Sequence, residues 1–266
     1  MSDSSTSTMR PASLRPRCHP WQAAPIVALL SAVDPASAGV PFVTDDPDTP
    51  EKGHFEINLA SQFTGTQSEQ SGVIPSLEVN YGVTDHLEIH VLLPLAYNHP
   101  VGGATAVGPG DIELGIKYRF LDGDDWGWRP SIAFAPAIIL PTGSETRDLG
   151  TGHTQAFLPI WLSKDIDKFT VFGGGGYQIN PGPGNRNFWF VGVGVTYEIN
   201  ADWTIGGEIF RTTASEHDAT NSTSFNLGVI YNINDNHHLM MSAGRGLWNI
   251  AENNKFSVFL GYQLTF

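Results

Sequence analysis

No stretch of the sequence approaches the roughly 20 consecutive apolar residues that a helix needs to cross a bilayer, so a helical channel or receptor is excluded. Only 15% of the 266 residues are charged, and bases are scarcest: 14 Lys and Arg stand against 27 Asp and Glu, for a net charge of -13. With no Lys/Arg-rich run to release counterions from a phosphate backbone, nucleic-acid binding is disfavoured. The single cysteine, Cys18, is too few for a disulfide or a thiolate metal site. A lipid anchor on it is disfavoured as well, because Pro16 and Arg17 precede it where small residues are needed. What the chain does have is glycine and aromatic side chains: 29 Gly, 15 Phe, 7 Trp and 7 Tyr.

The first 38 residues read as a cleaved secretory signal. Arg10, Arg15 and Arg17 precede an apolar stretch from Trp21 to Val33, and Ala36-Ser37-Ala38 has the small-x-small pattern of a cleavage site. Either Met1 or Met9 serves as the start in this reading. Residues 39–52 are expected as a segment on the periplasmic side, and 53–266 as one all-β domain.

The last eleven residues carry the strongest pattern. Phe256, Val258, Leu260, Tyr262, Leu264 and Phe266 are large and apolar, and the residues between them are small or polar, apart from Phe259. Only a strand separates such sets onto two faces. The pattern recurs about a dozen times, predicting strands near 53–63, 72–82, 86–95, 109–121, 128–140, 153–164, 168–179, 188–199, 203–213, 223–233, 237–246 and 255–266. The polar set includes Glu56, Glu78, Glu88, Glu113, Lys117, Arg119 and Glu208. Such a face cannot form a dry core without large desolvation costs. The buried face must be the apolar one, and lipid outside with a polar lumen inside is the inversion expected of a transmembrane, antiparallel, up-and-down β-barrel of about 12 strands. Short connections alternate with long ones, as periplasmic turns and outer loops do. Tyr81, Tyr118, Phe120, Phe169, Tyr197, Trp203, Tyr231, Tyr262 and Phe266 would then form an aromatic belt at the inner interface.

The segments Tyr81-Gly82-Val83-Thr84-Asp85-His86-Leu87-Glu88-Ile89, Gly110-Asp111-Ile112-Glu113-Leu114-Gly115-Ile116-Lys117-Tyr118-Arg119-Phe120 and Leu140-Pro141-Thr142-Gly143 occur in that order. With them the chain resembles the outer-membrane proteins of the MetA pathway of phenol degradation. The resemblance implies an outer-membrane barrel of transporter type, linked to aromatic uptake, with no catalytic residues to carry over.

Catalysis and metal binding find little footing. An outer-membrane lipid hydrolase needs a Ser-His pair on the lipid face; Ser61 stands there, but no histidine shares that face. His237 and His238 are adjacent and so point to opposite sides of a strand, which disfavours joint chelation. No metal site and no cofactor are expected. The inner ends of the strands would gather Glu78, Glu88, Lys117, Arg119 and Arg129 into a charge cluster, with Arg119 opposite Arg129 if the turn centres on Asp124. That cluster is either a solute filter or a structural ion-pair network. Phe157, Trp161, Phe172 and Phe210 face inward beside a bare patch at Gly174 and Gly176, and offer a surface for solute contact or for space filling. Inward carboxylates outnumber inward bases, which favours neutral or cationic solutes. The alternating terminal residues ending at Phe266 read as the signal for the barrel-assembly machinery, and outer-membrane lipid is the expected surroundings. The function expected is a passive channel for small aromatic or hydrophobic solutes. The rival is a structural or adhesive barrel closed by side chains or by the segment Val40–Gly53, with ligand-binding outer loops; a lipid hydrolase is third.

Overall fold

The computed structural model describes residues 41–124 and 127–266. The segment 1–38, expected as a secretory signal and containing Cys18, lies outside the described residues. Fourteen strand segments make one closed antiparallel sheet: β1 (Phe55–Gly65), β2 (Glu69–Thr84), β3 (Leu87–Pro100), β4 (Ala106–Pro109), β5 (Ile112–Leu121), β6 (Ser131–Phe134), β7 (Ala137–Leu140), β8 (Gln155–Ile166), β9 (Phe169–Ile179), β10 (Phe188–Asn200), β11 (Trp203–Thr212), β12 (Ser222–Asn234), β13 (His237–Trp248) and β14 (Phe256–Thr265). β4 and β5 are two halves of one stave, as are β6 and β7, so the barrel has 12 strands. The second break falls at Pro136, which has no N–H to give to the ladder. Its carbonyl still accepts from Ile116 N (3.0 Å).

The barrel closes where β1 pairs with β14, in register from Glu56 opposite Thr265 to Gly65 opposite Phe256. Main-chain bonds between Phe55 and Phe266 in both directions (2.7 and 3.0 Å), with their rings stacked 5.6 Å apart, finish the seam. Alternation fixes the faces as the sequence predicts. Leu59, Ile89, Leu114, Ile116, Ile209 and Leu260 point outward, whereas Asn58, Glu78, Glu88, Glu113, Lys117 and Glu208 are buried inside. Around the end that holds the termini, cross-strand ring pairs form a belt: Phe55 with Tyr81, Phe169 with Tyr197, and Trp203 with Tyr231, at 4.5–4.7 Å. Such rings favour the headgroup layer.

Two expectations about connections change. β2 starts at Glu69 and β3 runs to Pro100, so the β1–β2 loop shrinks from the predicted 64–71 to residues 66–68. Thr66 tightens that loop by accepting from the Ser68 and Glu69 N–H groups (3.2 Å each). The larger change concerns the segment ahead of β1. Expected on the periplasmic side, it turns into the barrel over its described part: Phe42, Thr44 and Asp45 are at most 4% exposed. A barrel of this width has more interior than its own side chains fill. Small inward residues make the room: a Cβ at Gly192 would collide with the Thr44 hydroxyl.

Candidate functional site

The lumen has two unlike walls, with residues 41–49 between them. One wall, from β1, β2, β3 and β5, is polar. The other, from β8 to β11, is aromatic. On the aromatic side the buried carboxylate of Glu208 takes the backbone N–H groups of Val43 and Thr44 (2.8 Å each) and the Asn226 amide (2.6 Å). A buried carboxylate is tolerated only when so satisfied. Deeper still, Ser242 Oγ donates to the Pro41 carbonyl (2.7 Å). On the polar side Lys117 Nζ binds Asp45 (3.0 Å). Nearer the termini Arg119 reaches Asp48 (3.4 Å) and donates to the Asp85 carbonyl (2.9 Å). The Asp85 carboxylate accepts from Lys52 N (3.0 Å), where the segment leaves the lumen.

The predicted charge cluster is only partly assembled. Glu88 and Lys117 are direct cross-strand partners, as their inward positions require. Glu78 lies with β1, accepting from Asn58 Nδ2 (3.1 Å). Arg119 does not face Arg129. Its cross-strand partner is Ala133, because the connection 122–130 is a broad turn rather than a tight hairpin. Arg129 is exposed in that turn, its N–H on the Asp124 carboxylate (3.2 Å). In the same turn the Lys164 ammonium holds the Asp124 carboxyl below its usual range, and the His86 ring does the same for Asp122. Inward residues outside the expected five-residue cluster complete the polar wall. His90 lies between Glu88 (3.2 Å) and Glu113 (3.4 Å), and Glu56 accepts from both Asn58 and Asn80 (3.1 Å each). The inward parity of His90 and Glu113 was the available signal; Asp45 had none, because its segment has no period.

The four predicted inward rings are all buried in the lumen, Phe157 9%, Trp161 1%, Phe172 5% and Phe210 5% exposed. Phe190, which the sequence reading passed over, packs T-shaped against Phe157 (6.4 Å) and Trp161 (6.0 Å) and stacks with Phe210 (6.1 Å). The patch at Gly174 and Gly176 is not bare. Trp161 is the cross-strand partner of Gly174 and its ring lies over it, while the Phe157 ring covers Gly176. The glycines thus seat rings from the neighbouring strand, a device that shields weak strand glycines. Val43 of the inner segment packs against this cluster, and Phe42 sits 5.5 Å from Phe172. The Trp161 Nε1 donor has no partner among the described residues.

Against the inner segment lies a cavity of about 600 Å³ ringed by residues from nearly every stave, Asp45, Glu56, Asn80, Glu88, Glu198 and His238 among them. His237 and His238 go to separate partners, Tyr262 OH (2.5 Å) and Asn232 (2.8 Å). Two sequence motifs meet at the opposite end. The Asp111 carboxylate accepts from Gly143 N (2.8 Å) and from Thr151 N and Oγ1 (2.7 Å each), and Thr142 Oγ1 donates to the Gly110 carbonyl (2.8 Å). These bonds fold the 141–154 loop back against its stave. The terminal alternation Phe256, Val258, Leu260, Tyr262, Leu264 and Phe266 lies in β14 and just past it, on the outward face.

A family model described as "Putative MetA-pathway of phenol degradation" matches residues 41–264. Among solved structures, an outer membrane channel from Pseudomonas putida F1 is similar at TM-score 0.70 and 18% identity, covering 83% of this chain and 98% of its own. The KdgM porin (TM-score 0.55, 12% identity, 79% and 99% coverage) and the NanC porin (0.54, 12%, 78% and 98%) share the fold. No curated protein matches significantly.

Proposed function

Because the chain belongs to the MetA-pathway of phenol degradation family, we propose that it is a passive outer-membrane channel for small neutral or cationic solutes, aromatic or otherwise hydrophobic ones foremost. The observation that carries this reading is the two-walled lumen: stacked rings on one side, carboxylates on the other, and between them a segment that pairs with no strand. An excess of inward carboxylates makes the field in the lumen repel anions. The similar solved structures, a channel and two porins, support the same class. The inner segment does occupy the lumen as the rival reading required, but a structural or adhesive role is not favoured beside such relatives in fold, nor is a lipid hydrolase. A signal peptide ending at Ala38 and recognition of the β14 residues by the barrel-assembly machinery belong to the same proposal.

The test is conductance in a planar bilayer with and without residues 41–49, together with uptake of toluene, phenol and benzoate by cells with and without the protein. We expect the shortened chain to conduct with a reversal potential on the cation side, and toluene and phenol to enter faster than benzoate. A shortened chain that inserts but carries no current would remove the channel reading, and faster benzoate entry would overturn the charge argument.

A further inference from the structure

The inner segment makes two kinds of contact, and only one kind belongs to it alone. Its backbone N–H groups on Glu208 and its Asp45 on Lys117 are polar anchors. Its apolar side chains do something different. Val43 is set against the cluster of Ala135, Phe157, Trp161, Phe190 and Phe210, and Phe42 against the Phe172 ring. These faces are the main apolar surface of the lumen, and in this structure the segment covers them. A buried indole N–H sits in the same cluster with no acceptor among the described residues. Burying such a donor without a partner is costly, so the seat is complete only for an occupant that brings an oxygen to it. The Val43 side chain brings none.

We propose that a flat aromatic solute carrying an acceptor oxygen and the segment 41–46 compete for this one seat, so that the solute itself releases the segment. The proposal rests on the channel reading above and adds its regulation. A ring laid against this cluster must displace Val43, since the two cannot share the surface, and its oxygen would accept from Trp161 Nε1. A ligand that binds only the released state shifts the equilibrium toward release by a factor of about one hundred when present at one hundred times its dissociation constant. The anchors Glu208 and Lys117 are left intact and recapture the segment when solute leaves. The channel would therefore be closed at rest and opened by its own cargo.

Thr44 is the natural reporter because it is fully buried where the segment meets Gly192. We would introduce Thr44→Cys, the one cysteine of the processed chain, and follow its reaction with a membrane-impermeant maleimide, using the mature protein in vesicles, as p-cresol, toluene or hexanol is added. p-Cresol should accelerate labelling at least tenfold and saturably, toluene less, and hexanol not at all. In Trp161→Phe, which keeps a ring and drops the N–H, the advantage of p-cresol over toluene should vanish. Labelling unchanged or slowed by p-cresol, or accelerated equally by hexanol, would overturn the competition. Conductance of the chain lacking residues 41–49 separates the two ideas: if it conducts while p-cresol leaves labelling unchanged, the channel stands and the competition falls.

Discussion

Replacing Glu208 by alanine removes the chief polar anchor of the inner segment. Glu208 is 4% exposed and accepts two main-chain N–H groups from Val43 and Thr44 at 2.8 Å. Hydrogen bonds to a charged group are each worth about 1.5–3 kcal/mol, which brackets the loss at about 3–6 kcal/mol. Two effects pull toward the lower end: the variant no longer buries a carboxylate, and released N–H groups regain water. Taking about 3 kcal/mol, the balance between seated and released segment shifts by on the order of 150-fold, at tenfold per 1.4 kcal/mol. The Glu208→Ala chain carrying Thr44→Cys should therefore react with maleimide roughly a hundred times faster than the parent, as the released fraction sets the rate. Heat-modifiable gel mobility would show that the barrel itself is intact. A rise of less than about threefold in a folded barrel would refute the reasoning, since it would mean that the bonds to Glu208 contribute under about 0.7 kcal/mol to seating.

Lys117→Met should also free the segment, by leaving the buried Asp45 carboxylate without its 3.0 Å partner at a cost of about 3–5 kcal/mol, and Asp45→Asn in the same chain should restore slow labelling; a double variant as fast as the single one would show that the pair is not the anchor. Leu114→Arg faces lipid and should destabilise the barrel by about 2–4 kcal/mol in urea titrations from vesicles. Cysteines placed at 114 and 115 should differ in turn: maleimide reaching Leu114→Cys but not Gly115→Cys would reverse every face. Phe266→Asp breaks the ring stack at the seam and should leave the chain in the periplasm, or degraded; wild-type levels in the outer membrane would dismiss the assembly role.

The barrel was legible because one period of two, repeated along the chain, fixes both element type and face, and a single strand such as Phe256–Phe266 already shows it. Registers were legible only where turns are tight. Between β3 and β5 the neighbourhood of Glu88 and Lys117 follows from their shared inward face, and they are cross-strand partners. At the inner turn the centre was taken two residues too early. Each residue of error at a turn moves the cross-strand partner by two, so Arg119 was assigned Arg129 instead of Ala133. The inner segment was the hardest to read. Pro41 to Lys52 has no periodicity, because it pairs with no strand, and its contacts are over 160 residues away in sequence at Glu208 and about 200 at Ser242. Gly192 does mark a hollow on the inward face, but a hollow does not name its occupant.

The segment is tied to the wall at Gly53, whose N–H bonds the Gly82 carbonyl, only a few residues from Thr44. A peptide on so short a leash faces its seat at an effective concentration of order 1 mM, whatever the amount of protein in the membrane. An intrinsic affinity of only about 10 μM then keeps the seat about 99% filled. The threshold at which any free molecule displaces it is set by the leash as much as by the seat. Lengthening the stretch between Asp48 and Gly53 would lower that threshold without altering a single contact in the lumen.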